Sequence, residues 1–424
     1  MKEKQSKKAP RPGLPELLAP AGSFEKMVTA IHYGADAVYL GGPAYGLRAR
    51  AGTFDEPAMA AAVAYAHARR VPVYVTVNIF AHNDDLAGLP DYLRSLQALE
   101  VDAIIVADPG VLALATEIVP HLPVHLSTQA NVTNVNAARF WSRQGVRRLN
   151  LARELSLQEI RALRRGCDAE LEVFVHGALC ISYSGRCLLS HYLTGRDANR
   201  GSCAQPCRFR YALVEQTRPE LHYPIEEDRH GAYILNAKDL CLLARLPELV
   251  AAGVDALKIE GRMRSLFYVG SVVRVYRAAL DYLQTLDDSD WRQPERLVLP
   301  PELTDEIIRT GTRELTENFI DGPPGPTEML YDRSRAEQPY EPVAVVRELA
   351  SLPLVEVRNP LVVGDSIEYM HRRTVHTSPA RIEALFDEAW QPLQRANPGS
   401  RVYLSLAEPL PGVAVEGLFR RRKG

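Results

Sequence analysis

What this chain lacks narrows its function before any motif is considered. No run approaches the roughly eighteen uninterrupted apolar residues of a helical membrane span, so no membrane partner is expected. Cysteine is scarce, six in 424 residues. The opening stretch MKEKQSKKAPRPG carries charge but no apolar core of the kind that directs secretion. A reducing, cytoplasmic compartment without structural disulfides is therefore the expectation. No G-x-G-x-x-G follows the first expected strand, which removes the commonest reason to expect a dinucleotide fold. Neither H-E-x-x-H nor G-x-S-x-G occurs, so the usual zinc-protease and serine-hydrolase signatures are missing. Charge of one sign is also lacking, the net value being -2. The cations crowd the two ends instead: Lys2, Lys4, Lys7, Lys8 and Arg11 at one, Arg420, Arg421, Arg422 and Lys423 at the other. Both clusters read as solvated tails, with contact to a polyanion as the lesser alternative.

The chain is 46% apolar, enough for one large domain and a small one. From Pro15 onward it repeats a short β-branched run followed by a stretch with helical spacing. ELLAPAG (16–22) precedes a segment in which Phe24, Met27, Val28 and Ile31 fall at i, i+3, i+4 and i+7, with Ser23 placed to cap the helix and Gly34 to end it. Seven further runs follow: AVYLGG, VPVYVTVN, AIIVAD, VHLSTQ, RLNLAR, ELEVFVH and ALKIEG. Eight β-then-α units in order predict an α/β fold, a TIM-like (β/α)8 barrel over 14–286, rather than an open doubly wound sheet. Residues 1–13 read as a basic disordered tail. After Leu286 the chain becomes rich in Pro, Gly and charge, which marks 287–340 as a connecting region. From Glu341 to the end, alternating apolar and polar residues between Gly and Pro turns predict a small C-terminal β-domain, antiparallel and barrel-like.

In such a barrel the strand-end residues converge on one face. Here they are Asn78, Asp108, Ser127, Thr128, Gln129, Asn131, Arg153, Glu154, His176, Lys258, Glu260 and Arg262. For Asn78 or Asp108 taken alone, a helix cap or turn is an equal reading. Lys258 and Glu260 alternate on one strand, so an ion pair between them inside the barrel is the bland alternative to a catalytic role. Arg48 and Arg50, in the loop after the second strand, are placed to clamp a carboxylate or phosphate. Tyr183, Arg186 and Arg208 are candidates for contacting substrate or for shaping their loop.

Directly after His176 comes an insertion (177–232) holding four of the six cysteines: Cys180, Cys187, Cys203 and Cys207, spaced C-x6-C-x15-C-x3-C among glycines and arginines. Several thiolates on one flexible loop, with cations nearby, make a metal centre the leading reading. Structural zinc prefers two short C-x2-4-C knuckles, and only the second pair fits that spacing. A four-iron four-sulfur cluster tolerates irregular spacing because each iron corner takes its own thiolate. On spacing alone both metals stay open, as does the absence of any metal. Cys241 reads mainly as a small core residue on the apolar face of Leu240, Leu243 and Leu246, and as an alternative ligand if its loop reaches back. Cys167 has no evident partner.

The run EVFVHGALCISYSGRCLLSHYLTGRDANRGSCAQPCRFRY, with ELLAPAG, HLSTQANVTN, LNAKDL and LKIEGRMRS, resembles the collagenase-like peptidase family U32. The resemblance covers nearly the whole chain. It implies a TIM-like barrel and, in several branches, an iron-sulfur cluster of the 4Fe-4S type, serving oxygen-independent hydroxylation with prephenate as oxygen donor. Those branches act on the wobble uridine of tRNA, on ribosomal RNA or on a ubiquinone precursor. The length and the C-terminal β-domain match the tRNA-hydroxylating branch, making tRNA the expected macromolecular partner. By that resemblance Cys180, Cys187, Cys203 and Cys207 become the cluster ligands, with Cys241 as the alternative fourth. Arg48, Arg50 or Arg262 would bind the carboxylates of the small-molecule donor. His176, Lys258 and Glu260 complete the catalytic candidates, and Asn78, Gln129, Tyr183, Arg186 and Arg208 the substrate-binding ones. The family's title also leaves peptide hydrolysis open, with Cys as nucleophile and His176 nearby, and a non-catalytic RNA-binding or assembly factor is the third reading. Nothing in the sequence specifies a subunit count.

Overall fold

The computed structural model describes residues 13–47, 54–180, 182–208, 212–215, 218–224, 238–311, 313–323 and 338–423. Seven parallel strands form in chain order, β1 (Glu16–Pro20), β2 (Ala37–Gly41), β3 (Val73–Val77), β4 (Ala103–Val106), β5 (Val124–Leu126), β6 (Arg148–Asn150) and β7 (Glu170–Ala178). The helices between them are α1 (Phe24–His32), α2 (Glu56–His67), the single turn α3 (Asn83–Leu86) with α4 (Leu89–Ala98), α5 (Pro109–Ile118), α6 (Val135–Arg143) and α7 (Leu157–Gly166). After β7 come the short helix α8 (Leu189–Thr194), a hairpin of β8 (Ala212–Glu215) and β9 (Arg218–Pro224), and β10 (Asp239–Cys241), which runs antiparallel to the end of β7. Then α9 (Leu246–Ala251) leads to β11 (Ala256–Ile259), which pairs with both β7 and β1 and closes the expected eight-stranded barrel. The long helix α10 (Leu266–Thr285) follows.

Local signals explain the boundaries. Ser23 Oγ accepts from Lys26 N at 3.3 Å and starts α1, and Gly34, at φ +107°, ends the turn that follows it. Asp55, Asn134 and Ser156 cap α2, α6 and α7 in the same way, each satisfying a backbone N–H that the helix leaves open. Asp108 takes the cap reading too: its Oδ1 accepts from Gly110 N at 2.7 Å at the start of α5. Alternate strand residues then divide between two cores. Leu17, Val38, Leu40, Val73, Val75 and Val106 pack outward under the helices, while Leu18, Tyr39, Tyr74 and Ile105 fill the barrel interior.

One irregularity re-aims a candidate residue. Lys258 pairs with Phe174, yet Ile259 pairs with His176, so β7 carries one extra residue, Val175, at this point. A bulge of this kind switches the side to which the next side chain points. His176 therefore leaves the inward-facing set of Glu172 and Phe174 and packs against α10.

The region read as a connection holds more than a linker. It contains α11 (Pro301–Thr310), which buries Leu303, Glu306, Ile307 and Thr310, and β12 (Leu315–Thr316), which pairs with β10. Beyond it, β13 (Tyr340–Leu349), β14 (Pro353–Val357), β15 (Leu361–Val362), β16 (Ser366–Met370), β17 (Thr377–Phe386), β18 (Pro392–Leu393), β19 (Arg395–Ala396), β20 (Arg401–Leu406) and β21 (Leu418–Arg422) make the second domain. Its main sheet runs β16-β21-β13-β14-β20-β17 and closes through β17–β16, a six-stranded antiparallel barrel with its own core. The tail reading of the C-terminal arginines is corrected here. Arg420 lies within β21, fully buried, with Nη1 2.5 Å from Glu306 and Nε 2.9 Å from Glu368. Arg421 binds Glu341 and Asp365. These carboxylates come from distant segments, so the basic run gave no local sign of its pairing. The second barrel packs on the first through Tyr33, whose hydroxyl donates to Met370 O and accepts from Leu418 N. Among the described residues no helix is long and apolar enough to cross a membrane.

Candidate active site at the barrel mouth

The C-terminal ends of the barrel strands and the Cys-bearing loop enclose a cavity of about 970 Å³. On its wall, Lys258 Nζ donates to Glu172 Oε1 at 2.8 Å and sits 4.5 Å from the Tyr39 ring centroid. The expected Lys258–Glu260 pair is thus replaced by one with Glu172 of β7, since adjacent strands bring inward-facing residues closer than the next position along one strand. Deeper, Arg148 joins Glu16 at 2.6 Å and Glu172 at 3.6 Å.

Above this lies a polar layer. The Tyr39 hydroxyl is 3.0 Å from Ile259 O and 3.3 Å from Glu260 Oε2. Burial, reinforced by the Glu260 carboxylate, pushes its ionisation well above the ordinary tyrosine range, so it stays a neutral donor. Arg262 Nη1 donates to Thr76 Oγ1 at 3.0 Å. The glycines at 22 and 41 make room for this arginine: a Cβ at Gly22 would strike its carbonyl, and one at Gly41 its guanidinium. Asn78 Nδ2 and Ser127 Oγ both donate to Gln129 Oε1 at 2.9 Å, while Asn78 Oδ1 accepts from Leu47 N.

The loop after β7 forms the upper wall, and Cys180, Cys187, Cys203 and Cys207 all line the cavity. Asn199 fixes its course by accepting from Cys187 N at 3.2 Å and donating to Cys187 O at 3.1 Å, while its own carbonyl accepts from Phe80 N. Ser184 adopts positive φ, held there by Glu154, which accepts from its backbone N at 2.6 Å and from its hydroxyl. Burial pushes the Cys180 thiol up; neighbouring Cys187 and Cys203 act in the same direction, and Arg153 opposes them. Among the described residues no three His, Cys, Asp or Glu side chains are close enough to chelate a single ion. Four thiols spread around one wall fit the donor chemistry of a four-iron cluster, in which each corner takes one thiolate.

The sequence candidates separate on this geometry. Asn78, Gln129, Lys258, Glu260 and Arg262 come together on the wall with the four cysteines. Arg186 joins the edge, its Nε donating to Gln129 O at 3.2 Å, and Tyr183 stands outside, largely exposed. His176 is not on the wall. Its Nδ1 lies 3.3 Å from the Tyr276 hydroxyl, and burial, aided by Arg264, lowers its pKa to about 3. Cys241 is also absent from the wall: its Sγ is 3.8 Å from the same hydroxyl, within the barrel's outer core. Arg48 and Arg50 lie outside the described residues, as does the side chain of Arg208. Sequence reasoning assigned no role to Tyr39, Thr76, Arg153 or Asn199. Strand parity could have found the first two. Arg153, with Nη1 donating to Ala178 O at 2.9 Å and its guanidinium 3.9 Å from the Phe174 ring, was visible only as one strand-end residue among many.

A β/α barrel roofed by a four-thiol loop, with a closed antiparallel barrel attached, defines the class of two-domain protein to which this chain conforms. The chain belongs to peptidase family U32: the profile of that family matches residues 22–330, and the profile of the U32 C-terminal domain matches 338–415. It is 39% identical over 385 residues to the tRNA hydroxylation protein P1 of Bacillus subtilis (strain 168), covering 90% of this chain and 89% of that one. With the tRNA hydroxylation protein P of Escherichia coli (strain K12) it shares 36% over 398 residues, covering 84% and 86%. With the 23S rRNA 5-hydroxycytidine C2501 synthase of the same strain it shares 36% over 368 residues, covering 85% of this chain and 53% of that one.

Proposed function

We propose that this chain is a tRNA hydroxylase forming 5-hydroxyuridine at the wobble position, with an iron-sulfur cluster on Cys180, Cys187, Cys203 and Cys207 and prephenate as oxygen donor. The observation that carries this reading is that all four loop thiols line the cavity that Arg153, Lys258 and Arg262 also line. Among the described residues the wall bears five cations, those three with Arg264 and Arg313, and one carboxylate, Glu260. Two of these are already paired, Lys258 with Glu172 and Arg264 with Asp239; guanidinium groups such as those of Arg153 and Arg262 suit the carboxylates of a small dicarboxylate. The names of the tRNA-hydroxylating relatives support the RNA substrate. The reaction replaces uridine C5–H by C5–OH; the donor gives up the oxygen atom and takes up the electron pair, so it is reduced as the base is oxidised. Bound on these thiolates, the cluster supplies one-electron redox capacity. Arg262 and Arg153 hold the donor carboxylates, Asn78 and Gln129 orient the base edge, and neutral Tyr39 donates a hydrogen bond towards Glu260 or a bound oxygen.

Peptide hydrolysis through a cysteine would require an imidazole beside the attacking thiol. His176, directly before the loop, faces Tyr276 instead, and His191 within the loop is turned outward into solvent on α8. The test is anaerobic purification with iron, sulfide and zinc analysis, joined to nucleoside analysis of tRNA from cells with and without the gene. About four irons and four sulfides per chain, with 5-hydroxyuridine lost when the gene is removed, is the expected result. Zinc without iron, or unchanged 5-hydroxyuridine, would overturn it.

A further inference from the structure

The wall of the cavity continues outward into a surface that the chemistry above does not use. Met263, Leu189 and Ser184 line the cavity, and their neighbours turn away from it into solvent. Tyr192 is 85% exposed, Leu188 75% and Tyr183 55%; Leu193 of the same loop and Met263 of the cavity wall are about half exposed. Helix α8 turns His191, Tyr192, Leu193 and Thr194 all outward. It is held from below, where Ser190 Oγ accepts from Ala204 N at 2.9 Å. Such a grouping of large apolar side chains at a cavity edge, on a segment tied down underneath, marks an interaction surface.

Charge and shape identify the partner. Residues 180–208 contain four arginines, Arg186, Arg196, Arg200 and Arg208, against a single acid, Asp197; Arg200 is paired with Asp85 of α3, so the remaining three carry the excess. Aromatic rings interleaved with guanidinium groups suit a nucleic acid strand, through stacking on base faces and pairing with phosphates. A base can enter a cavity of about 970 Å³ only after leaving its stack, and its flanking bases then lose a neighbour. Rings exposed at the rim replace that neighbour, and the flanking bases of an unpaired loop are free to splay onto them, whereas those of a duplex stay held by their partners.

The geometry points to the Tyr183–Tyr192 rim, with Leu188, Leu193 and Met263, as a stacking platform for the unpaired nucleotides flanking the target base, so that this protein selects single-stranded RNA loops over duplex. The inference rests on the tRNA-hydroxylase reading and specifies how the RNA is gripped. A protein partner is disfavoured by the arginine excess, and becomes one outcome of the test.

The experiment measures fluorescence anisotropy of the full-length protein with two labelled probes: an RNA stem-loop carrying an unpaired uridine, and a fully paired duplex of equal length. Tyr192→Ala should weaken stem-loop binding about five- to hundredfold, the span associated with loss of one aromatic stacking partner, while Tyr192→Phe restores it. Duplex binding, made through phosphates, should change little in either variant. Because the side chain is exposed, circular dichroism of Tyr192→Ala should match the parent. Equal stem-loop binding by the parent and a Tyr183→Ala/Tyr192→Ala double variant that still hydroxylates tRNA would overturn the platform and leave the enzymatic reading standing. Failure of the parent to bind or hydroxylate RNA, with self-association abolished by Tyr192→Ala, would overturn both and assign the surface to protein contact.

Discussion

Lys258 Nζ donates to Glu172 Oε1 at 2.8 Å inside the barrel, where both side chains are almost wholly buried. Two charges removed from water gain little net stability from each other, but removal of one leaves the other buried and uncompensated. Glu172→Gln should therefore lower the unfolding free energy by about 3–5 kcal/mol, whereas Lys258→Met/Glu172→Leu should lose much less. Urea denaturation of the three proteins checks this. Equal losses in the single and double variants would show that packing, and not the stranded lysine, sets the cost.

His176 gives a pH prediction with a definite sign. Burial lowers its folded-state pKa to about 3, against an ordinary value of 6.5. Between those values the unfolded chain takes up a proton that the folded chain refuses, so stability falls as pH drops from about 6.5 towards 3. His32, lowered to about 4, and His125, lowered well below its usual range, act in the same direction. His176→Gln removes one titrating group. Its urea midpoint, normalised at pH 8, should decline less steeply through this window than that of the parent; identical slopes would contradict a neutral buried imidazole.

How much of this was legible in the sequence depends on the range over which each feature is determined. The barrel strands were readable because each is a local apolar run, and Ser23 and Asp108 because caps act within three residues. The clustering of Asn78, Gln129, Arg262 and the cysteines followed from the rule that strand ends share a face. His176 was misplaced because the extra residue at Val175 is defined only by pairing with β11, far along the chain. Lys258 was given the wrong partner for a related reason: neighbouring strands, not neighbouring positions, decide which inward-facing charges meet. Arg420 looked like tail because Glu306 and Glu368, which neutralise it, come from a stretch read as linker and from another strand.

That pairing also makes a prediction about how the two barrels hold together. Glu306 of α11 lies between Arg274 of α10 and Arg420 of β21, all three almost fully buried. Glu306→Gln would leave the buried Arg274 without its carboxylate and Arg420 with Glu368 alone, a change that should cost about 3–5 kcal/mol. Because the site joins both domains, the loss should appear as earlier protease cleavage near the junction of the two barrels, with the core of each digested at its usual rate. Uniform destabilisation of both domains would indicate that they unfold as one unit.

The cysteines offer a comparison within one protein. Cys203 lines the cavity with Cys180, Cys187 and Cys207, whereas Cys241 is off that wall and packs beside Tyr276 in the barrel's outer core. Cys203→Ala should reduce iron and acid-labile sulfide in anaerobic preparations and abolish 5-hydroxyuridine formation. Cys241→Ala should keep both and lose only core packing, about 1 kcal/mol of stability. Chelation of the parent under reducing conditions should reproduce the Cys203→Ala phenotype without altering the far-ultraviolet circular dichroism of either barrel. Iron analysis of the two variants, side by side, separates the alternatives. Loss of iron in Cys241→Ala would mean that the loop rearranges to recruit this thiol, and retention in Cys203→Ala would remove Cys203 from the ligand set.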